Sequence, residues 1–435
     1  MPANSLRGNA AFNADRLWDD LMALAAITEP GKRYTRRSFS EKFLEGRRWI
    51  EARLVEAGMT VRYDPAVNLI ARREGGVEGL APIVIGSHSD TVPSGGRFDG
   101  TLGVLAGLEI VRSLAERGVT TRHPIEVIDF LAEEPSEYGM SCIGSRAMSG
   151  RLDEPLLALK RADGETIAQA IARIGGAPLE IAEARRKDIA AFLELHIEQG
   201  IVLESGALDV GIVTGIVGIT RLRIVFIGAA DHAGATPFGL RKDALVAAAH
   251  TVAAVRSVGE ELSAQGRGYV IATTGCLEIQ PNAANVVPGL ASLVIEVRAE
   301  DVQLLAEFVE RINVASLAAA TTFRVERSEF VTLSNSKPSL CDHRLRSHLQ
   351  DAAEVLGLSS TPMASGAGHD AAFLALIAPM AIVFVPSKDG KSHCPEEWTE
   401  KEQCADGGAL LLDALLRIDR DPTFDHPLSA NAVKD

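Results

Sequence analysis

Cysteine is scarce. The 435-residue chain holds five, at positions 142, 276, 341, 394 and 404, with no C-x-x-C pair among them. Scattered and odd in number, they argue against a disulfide scaffold and a structural zinc finger and fit a reducing cytoplasm. Long apolar runs are missing too: none approaches the roughly 18 residues of a membrane span. The first twenty residues show no basic segment followed by an apolar one, so no secretory signal is expected. Positive charge is in deficit. Lys and Arg number 44 against 58 Asp and Glu, for a net charge of −14. Such a chain gains no electrostatic help at phosphate backbones or anionic lipid, so neither nucleic acid nor membrane is an expected partner. There are no internal repeats and no low-complexity segments.

What is present is an ordinary globular composition, 46% hydrophobic and 23% charged. The length exceeds what one core comfortably serves and predicts two domains. In the first half, short apolar runs at Ile83–Ile85, Ile125–Leu131 and Phe192–Leu195 read as buried strands. Helical stretches at Ser40–Ala57 and Thr101–Arg117 lie between or before them. Strands alternating with helices predict an α/β fold, a mostly parallel sheet with helices on both faces. The middle differs. Segments 221–228, 269–279, 291–299 and 322–331 read as strands, and 240–262 and 302–319 as helices. That order, β-α-β-β-α-β, predicts a ferredoxin-like α+β insertion over 216–332. The α/β pattern resumes with a helix at 345–356, a strand at 379–385 and a helix at 405–416, so the first domain is expected to comprise 1–215 and 333–435. The tail after Pro422 is expected to be poorly ordered.

Ligands bind at the carboxyl ends of strands in open α/β sheets. The first strand ends in His88 and Asp90, with Asp99 on the loop beyond. The second ends in Glu133-Glu134, and the third in His196, followed by Glu198 and Gln199. The run AIVFV leads to His393. Nitrogen and oxygen donors without thiolates suit Zn²⁺, Mn²⁺ or Co²⁺. Neighbouring side chains point opposite ways, so one glutamate of the pair can bind metal while the other acts as a base. Asp99 could be shared between two cations. Asp90, two residues from His88, could hold that ring's other N–H and fix its tautomer. Singly, each feature has a plain explanation as a loop histidine, a solvated turn or an Asp-Gly turn. Jointly, four strand ends of the same character point to a metal site.

The segments GSHSDTVPSGGRFDG, AEEPSEYG, LELHIEQG, ADHAGATPFGLRKDA, PNAANVVPG, IEVR, SGAGHDA and FVPSKDGKSHCPEE run in this order from residue 86 to 397. Together they resemble the hydantoinase/carbamoylase branch of the M20 metallopeptidase-like amidohydrolases. The resemblance implies two divalent ions, zinc foremost with Mn²⁺, Co²⁺ or Ni²⁺ as alternatives. His88 and His196 would hold one, Glu134 and His393 the other, and Asp99 would bridge them. Glu133 would be the general base toward a metal-bound water. His232 and Asn285 would contact the developing oxyanion or the substrate. Arg298 would grip a substrate carboxylate, with a surface strand charge as the alternative. Gln199 and the backbone of 365–370, Gly366 included, would line the pocket. His369 would line it too or hold its loop. The inserted domain would serve as lid and homodimer contact.

The function this implies is metal-dependent cleavage of the carbamoyl C–N bond of N-carbamoyl-L-amino acids. Alternatives are allantoate, a β-ureido acid, or an N-acyl amino acid or dipeptide, all small molecules with a free carboxylate. A non-catalytic binding protein is the alternative of another class. It predicts a lost ligand or base, and none is lost here. At Pro135-Ser136-Glu137-Tyr138 the chain departs from the Gly-Ser-Arg-Phe that carbamoylases commonly carry, which puts the pocket rim in question.

Overall fold

The structure is a computed structural model and describes residues 12–426. Residues 1–11, where the absence of a secretory signal was in part read, and the tail from 427 on lie outside the described residues. Of the tail expected to be poorly ordered, Pro422–Phe424 form a 3₁₀ turn with Phe424 buried.

The strands, in chain order, are β1 (Thr60–Tyr63), β2 (Leu69–Arg73), β3 (Ile83–His88), β4 (Ile125–Phe130), β5 (Ala191–Ile197), β6 (Val210–Ile216), β7 (Gly218–Ile227), β8 (Val270–Gln280), β9 (Leu290–Ala299), β10 (Glu326–Ser336), β11 (Ser339–Leu340), β12 (Ser360–Ser365) and β13 (Met380–Val385). The chain divides into two compact units. One runs to Thr214 and resumes at Cys341–Met363 and from Ala367 on. The other is Gly215–Leu340 with Ala364–Gly366.

The first unit is a mixed α/β structure whose strands run in the order β1-β2-β4-β3-β5-β13-β6. The four middle strands, β4, β3, β5 and β13, pair in parallel. Strands β2 and β6 flank them antiparallel. The middle strands are buried at every position, which is why they read as continuous apolar runs rather than as alternation. The flanking strands were not expected. β1, TVRY, is mostly exposed and has too little apolar content to register as a strand.

Strand parity decides what faces the chemistry. Ile83, Ile85, Leu193, Leu195, Ile197, Val383 and Val385 all enter one core cluster together with Leu102 and Leu105 of helix Thr101–Glu116 and Leu411 and Leu415 of helix Lys401–Ile418. Side chains alternate along a strand, so His88 on β3 and Glu194 and His196 on β5 project from the opposite face. On that face helix Ala371–Leu374 packs against β5 and β13.

Several helix starts follow side-chain caps. Ser40 accepts the N–H of Phe43 ahead of helix Glu41–Glu56, and Asp342 caps His343–Leu356. Helix Ala14–Ala25 is tied to the core by Arg16, which donates to both oxygens of buried Glu109 at 2.6 and 2.8 Å.

The second unit follows the chain order β7, helix Ala244–Ala264, β8, β9, helix Val302–Phe323, β10. Its sheet is antiparallel throughout, in the order β10-β7-β9-β8. β9 alternates half-buried and buried, and its buried set (Ala291, Leu293, Ile295, Val297) packs with Leu304, Phe308 and Ile312 of the second helix. A strand was expected from residue 322. The helix instead continues to Phe323 and is stopped by Arg324, a left-handed cap at φ +56°, so β10 starts four residues later.

Candidate metal centre

Parallel strands share one carboxyl edge, so the residues just past β3, β4, β5 and β13 arrive together. His88 closes β3, Glu133 and Glu134 follow β4, His196 lies on β5, and His393 follows β13. Asp99 stands two residues before helix Thr101–Glu116.

Two imidazoles are pinned by main-chain carbonyls. His88 Nδ1 lies 3.0 Å from the carbonyl oxygen of Asp90, and His196 Nδ1 lies 2.9 Å from that of Ile197. A carbonyl only accepts, so each ring carries its proton on Nδ1 and presents a lone pair at Nε2. The Gly100 N–H, donating to His196 Nε2 at 3.2 Å, agrees with that assignment. Both lone pairs face carboxylate. His196 Nε2 is 3.1 Å and His88 Nε2 3.6 Å from Asp99 Oδ1, and His88 Nε2 is also 3.6 Å from Glu133 Oε2. The other oxygen of Asp99, Oδ2, lies 3.0 Å from His393 Nε2, which is 3.4 Å from Glu134 Oε1. Asp99 therefore turns one oxygen to each group. The ligand atoms of His88, Asp99 and His196 lie within 4.8 Å of one another, as do those of Asp99, Glu134 and His393.

The electrostatics run the same way. Burial, and next the charge of Asp99, pushes Glu134 up to about 8. Glu133 is pushed well above the carboxylate range, chiefly by burial, with Asp370 and Glu134 adding to it. Burial alone would raise Asp99 as well. The neighbouring imidazoles of His196, His393 and His88 outweigh that and hold it well below its ordinary value. The bond to Asp99 pushes His393 up to about 9. Lone pairs converging on carboxylates need positive charge between them, and a nitrogen and oxygen donor set without thiolate fits a divalent cation such as Zn²⁺, Mn²⁺ or Co²⁺.

Asp90 does something other than expected. Its main-chain oxygen, not its carboxylate, is the near partner of the His88 ring; the carboxylate stands 3.6 Å away. That carboxylate instead accepts the backbone N–H groups of Glu133 at 3.2 Å and Glu134 at 3.3 Å. The two-residue spacing puts a carbonyl within easy reach of the ring, which frees the side chain to hold the next strand's turn. Gln199 is at the site: its side-chain nitrogen lies 2.9 Å from Asp99 Oδ2 and 3.3 Å from His393 Nε2. Four non-glycine residues around the centre, Ala132, Cys142, Gln199 and His393, have φ between +53° and +58°. Each such backbone costs roughly 1–3 kcal/mol and persists only where its surroundings enforce it.

Several residues escaped the sequence reading. Glu397 is buried and bonds the Asp99 loop. Ser392 Oγ is 3.0 Å from Asp99 Oδ2. Glu194, on the same face of β5 as His196, accepts the Ser87 hydroxyl at 2.8 Å, and Asp370 accepts that of Ser145 at 2.5 Å. The signal for Glu194 was available: a carboxylate inside an otherwise apolar strand, two residues before a ligand-type histidine. His369 is buried, its ring centroid 4.6 Å from that of His196, and it forms a further donor group with Glu194 and His196. Burial and the neighbouring His196 hold it well below its ordinary pKa, hence neutral.

In the departure at 135–138 one residue packs and one forms an exposed ion pair. Tyr138 is buried edge-on against Phe39 and donates to Glu165 at 2.7 Å, while Glu137 pairs with Arg37 at 2.8 Å.

The remaining candidates belong to the second unit. His232 Nδ1 accepts the N–H groups of Gly234 and Ala235, both at 3.1 Å, which leaves its proton on Nε2 as a donor. Asn285 is close by in the backbone: its carbonyl accepts Ala233 N–H at 2.9 Å, and His232 bridges to Val286. Arg298 donates through Nε to Glu296 at 2.7 Å and through Nη1 to the carbonyl of Gly366. Glu296 is held in turn by Arg221 at 2.6 Å.

The profile of peptidase family M20/M25/M40 matches residues 84–417, three quarters of the chain and every residue of the centre. This chain belongs to that family. Among its M20 relatives, an N-carbamoyl-L-amino acid amidohydrolase of Geobacillus stearothermophilus is 39% identical over 413 residues, 94% of this chain and 99% of the relative. A ureidoglycolate hydrolase of Oryza sativa subsp. japonica is 32% identical over 434 residues, 96% and 89% of the two chains. The crystal structure of a hydantoinase/carbamoylase-family amidase from Burkholderia multivorans superposes with a TM-score of 0.88 at 36% identity, covering 94% of this chain and 99% of that one. The M20 chain described here is thus an enzyme of the amidohydrolase kind. None of its described helices is long and apolar enough to cross a membrane.

Proposed function

We propose that this M20 enzyme cleaves the carbamoyl C–N bond of N-carbamoyl-L-amino acids, giving the amino acid, carbon dioxide and ammonia. The observation that carries the reading is the pair of carbonyl-pinned imidazoles whose Nε2 lone pairs face Asp99, with the second oxygen of Asp99 turned to His393. His88 and His196 would hold one divalent ion and Glu134 and His393 a second, with Asp99 shared; zinc is the first expectation, with manganese, cobalt or nickel as alternatives. When bound, the ions lower the pKa of the attacking water and polarise the scissile carbonyl.

Glu133 takes the proton from that water and delivers it to the leaving nitrogen. Its upward shift by burial is in the direction a proton-accepting carboxylate needs. Asp90 keeps Glu133 aimed through the backbone. Gln199 and His369 line the pocket from the first unit, His369 as a neutral ring. For the second unit, which we read as ferredoxin-like over 216–332, the proposed substrate contacts are His232 Nε2–H and Asn285 as donors to the oxygen that gains charge, and Arg298, beside the Gly366 carbonyl, for the substrate carboxylate. The choice of a carbamoyl substrate rests on the name of the 39% identical relative. The ureidoglycolate hydrolase likeness favours a second reading within the class, another ureido acid such as allantoate or a β-ureido acid. Both readings keep the carboxylate for Arg298. A homodimer through the second unit is also proposed. β8 is an edge strand of its sheet, and its Ile271 and Leu277 are 50% and 47% exposed. Five scattered cysteines suit the cytoplasm.

The test is a hydrolysis screen of carbamoyl-, formyl- and acyl-amino acids, allantoate and dipeptides, with Zn²⁺, Mn²⁺ or Co²⁺ supplied to stripped protein. Carbamoyl-L-amino acids should turn over fastest. E133Q should keep its metal and lose roughly 10²–10⁴-fold in kcat. Wild-type turnover in E133Q would remove Glu133 as the base, and preference for dipeptides would overturn the substrate class.

A further inference from the structure

We propose that Glu397 is a positioning residue that locks the Asp99 loop to the His393 segment and thereby builds the second cation group, an inference that rests on the dinuclear reading above. Glu397 is fully buried. Its Oε1 accepts the backbone N–H of Phe98 at 2.8 Å and of Asp99 at 3.2 Å, across nearly three hundred residues of chain. Its main-chain oxygen accepts Arg97 Nη1 at 3.3 Å. Its Oε2 lies 3.0 Å from the hydroxyl of Ser392, and that hydroxyl is also 3.0 Å from Asp99 Oδ2.

The neighbouring chain is shaped to admit this carboxylate. A Cβ on Gly96 would fall 1.8 Å from Glu397 Oε1, so the side-chain space at residue 96 is filled by Glu397. The next residue, Trp398, meets Phe98 edge-on at 5.6 Å and fixes the same two segments from the apolar side.

Burying an anion beside Asp99 is unfavourable unless its lone pairs are met, and here backbone donors meet them. Burial first, and then Asp99, push Glu397 upward, which registers that cost. The return is geometric. His393 has φ +56° and a side chain 48% exposed, so little packing holds it. Four residues on, Glu397 ties its segment to the very backbone that carries Asp99. Without that tie, the loop of Asp99 and the segment of His393 lose their common anchor. His88 and His196 do not, because they stand on core strands.

The experiment compares E397A, E397Q and wild type by two readouts. The first is amide exchange of peptides spanning residues 96–101 in metal-stripped protein. The second is Zn²⁺ titration of the same protein. In E397A the Phe98 and Asp99 amides should exchange faster. Because Asp99 is shared, the first zinc equivalent, which keeps His88 and His196, should weaken only slightly, and the second, which also loses the placement of His393, should weaken roughly 10–100-fold. E397Q keeps an acceptor oxygen for both N–H groups and should restore the exchange and most of the second affinity. Unchanged exchange in E397A, equal weakening of both equivalents, or no rescue by E397Q would each overturn the proposal. If E397A does not fold, S392A decides: it must weaken the second equivalent more than the first, or the proposal falls. Should wild type take up a single zinc, the dinuclear reading fails by itself, and the exchange arm still decides whether Glu397 holds the loop.

Discussion

Replacing Gly100 with alanine should remove His88 from the centre. Gly100 has φ +67°, and an ideal Cβ there would lie 2.4 Å from Cδ2, Cε1 and Nε2 of the His88 ring. Carbon contacts settle at about 3.5–4.0 Å, so the ring or the backbone must retreat by roughly 1 Å. The ring has nowhere to go without breaking its 3.0 Å bond to the Asp90 carbonyl. A left-handed φ also costs an L-residue roughly 1–2 kcal/mol wherever it occurs. Gly118 separates the two effects: its φ is +61°, and a Cβ there meets nothing within 4 Å. G118A should therefore lose about 1–2 kcal/mol in denaturant unfolding and keep wild-type zinc binding and turnover. G100A should lose the same stability, plus the first zinc equivalent, plus about 10²-fold in kcat/KM, the usual result of a 1 Å misplacement. The assays are Zn²⁺ titration of stripped protein, steady-state kinetics on the best substrate from the screen, and urea unfolding. G100A binding zinc as tightly as G118A would refute the placement of His88 as a ligand.

Three further expectations can be checked separately. R298K leaves a point charge where a planar fork stood, and should raise KM for a carboxylate substrate roughly 10–100-fold, the loss of about 1.5–3 kcal/mol, while sparing the carboxamide analogue; an unchanged KM removes Arg298 from substrate binding. R47M strands Asp129, a fully buried carboxylate whose salt bridge to the 2% exposed Arg47 is 3.0 Å long, and should cost about 3–5 kcal/mol in unfolding experiments. A loss under about 1 kcal/mol would show that Asp129 finds another partner. Light scattering should give twice the chain mass, and disrupting β8 with I271K should return it to one; a wild-type monomer ends the dimer proposal.

The candidate residues were legible in the sequence because each follows an apolar run. A buried parallel strand must be apolar throughout, so a histidine or carboxylate at its end stands out, as His88, Glu133-Glu134 and His393 do. The carbonyl-pinned tautomers of His88 and His196, the turn of Asp90 away from its ring, and the roles of Glu397 and Ser392 were not legible. Nothing in CPEEW distinguishes Glu397 from the exposed turn residue it resembles. The extension of helix Val302–Phe323 past Ala319 was likewise missed, because TTF has no helical signature of its own and is held by packing of the helix as a whole.

By itself the sequence determined that the four middle strands are buried apolar runs, that the insertion alternates strands and helices, and which side-chain chemistry arrives at the strand ends. Those depend on local periodicity, which is written residue by residue. Only the tertiary structure decided how these groups are aimed: that Asp99 gives one oxygen to His88 and His196 and the other to His393, and that Glu397 reaches back to the amides of Phe98 and Asp99. Orientation of that kind is set by hydrogen bonds between residues up to three hundred positions apart. No local pattern encodes them, because their partners become neighbours only when the parallel strands bring their carboxyl ends to one edge.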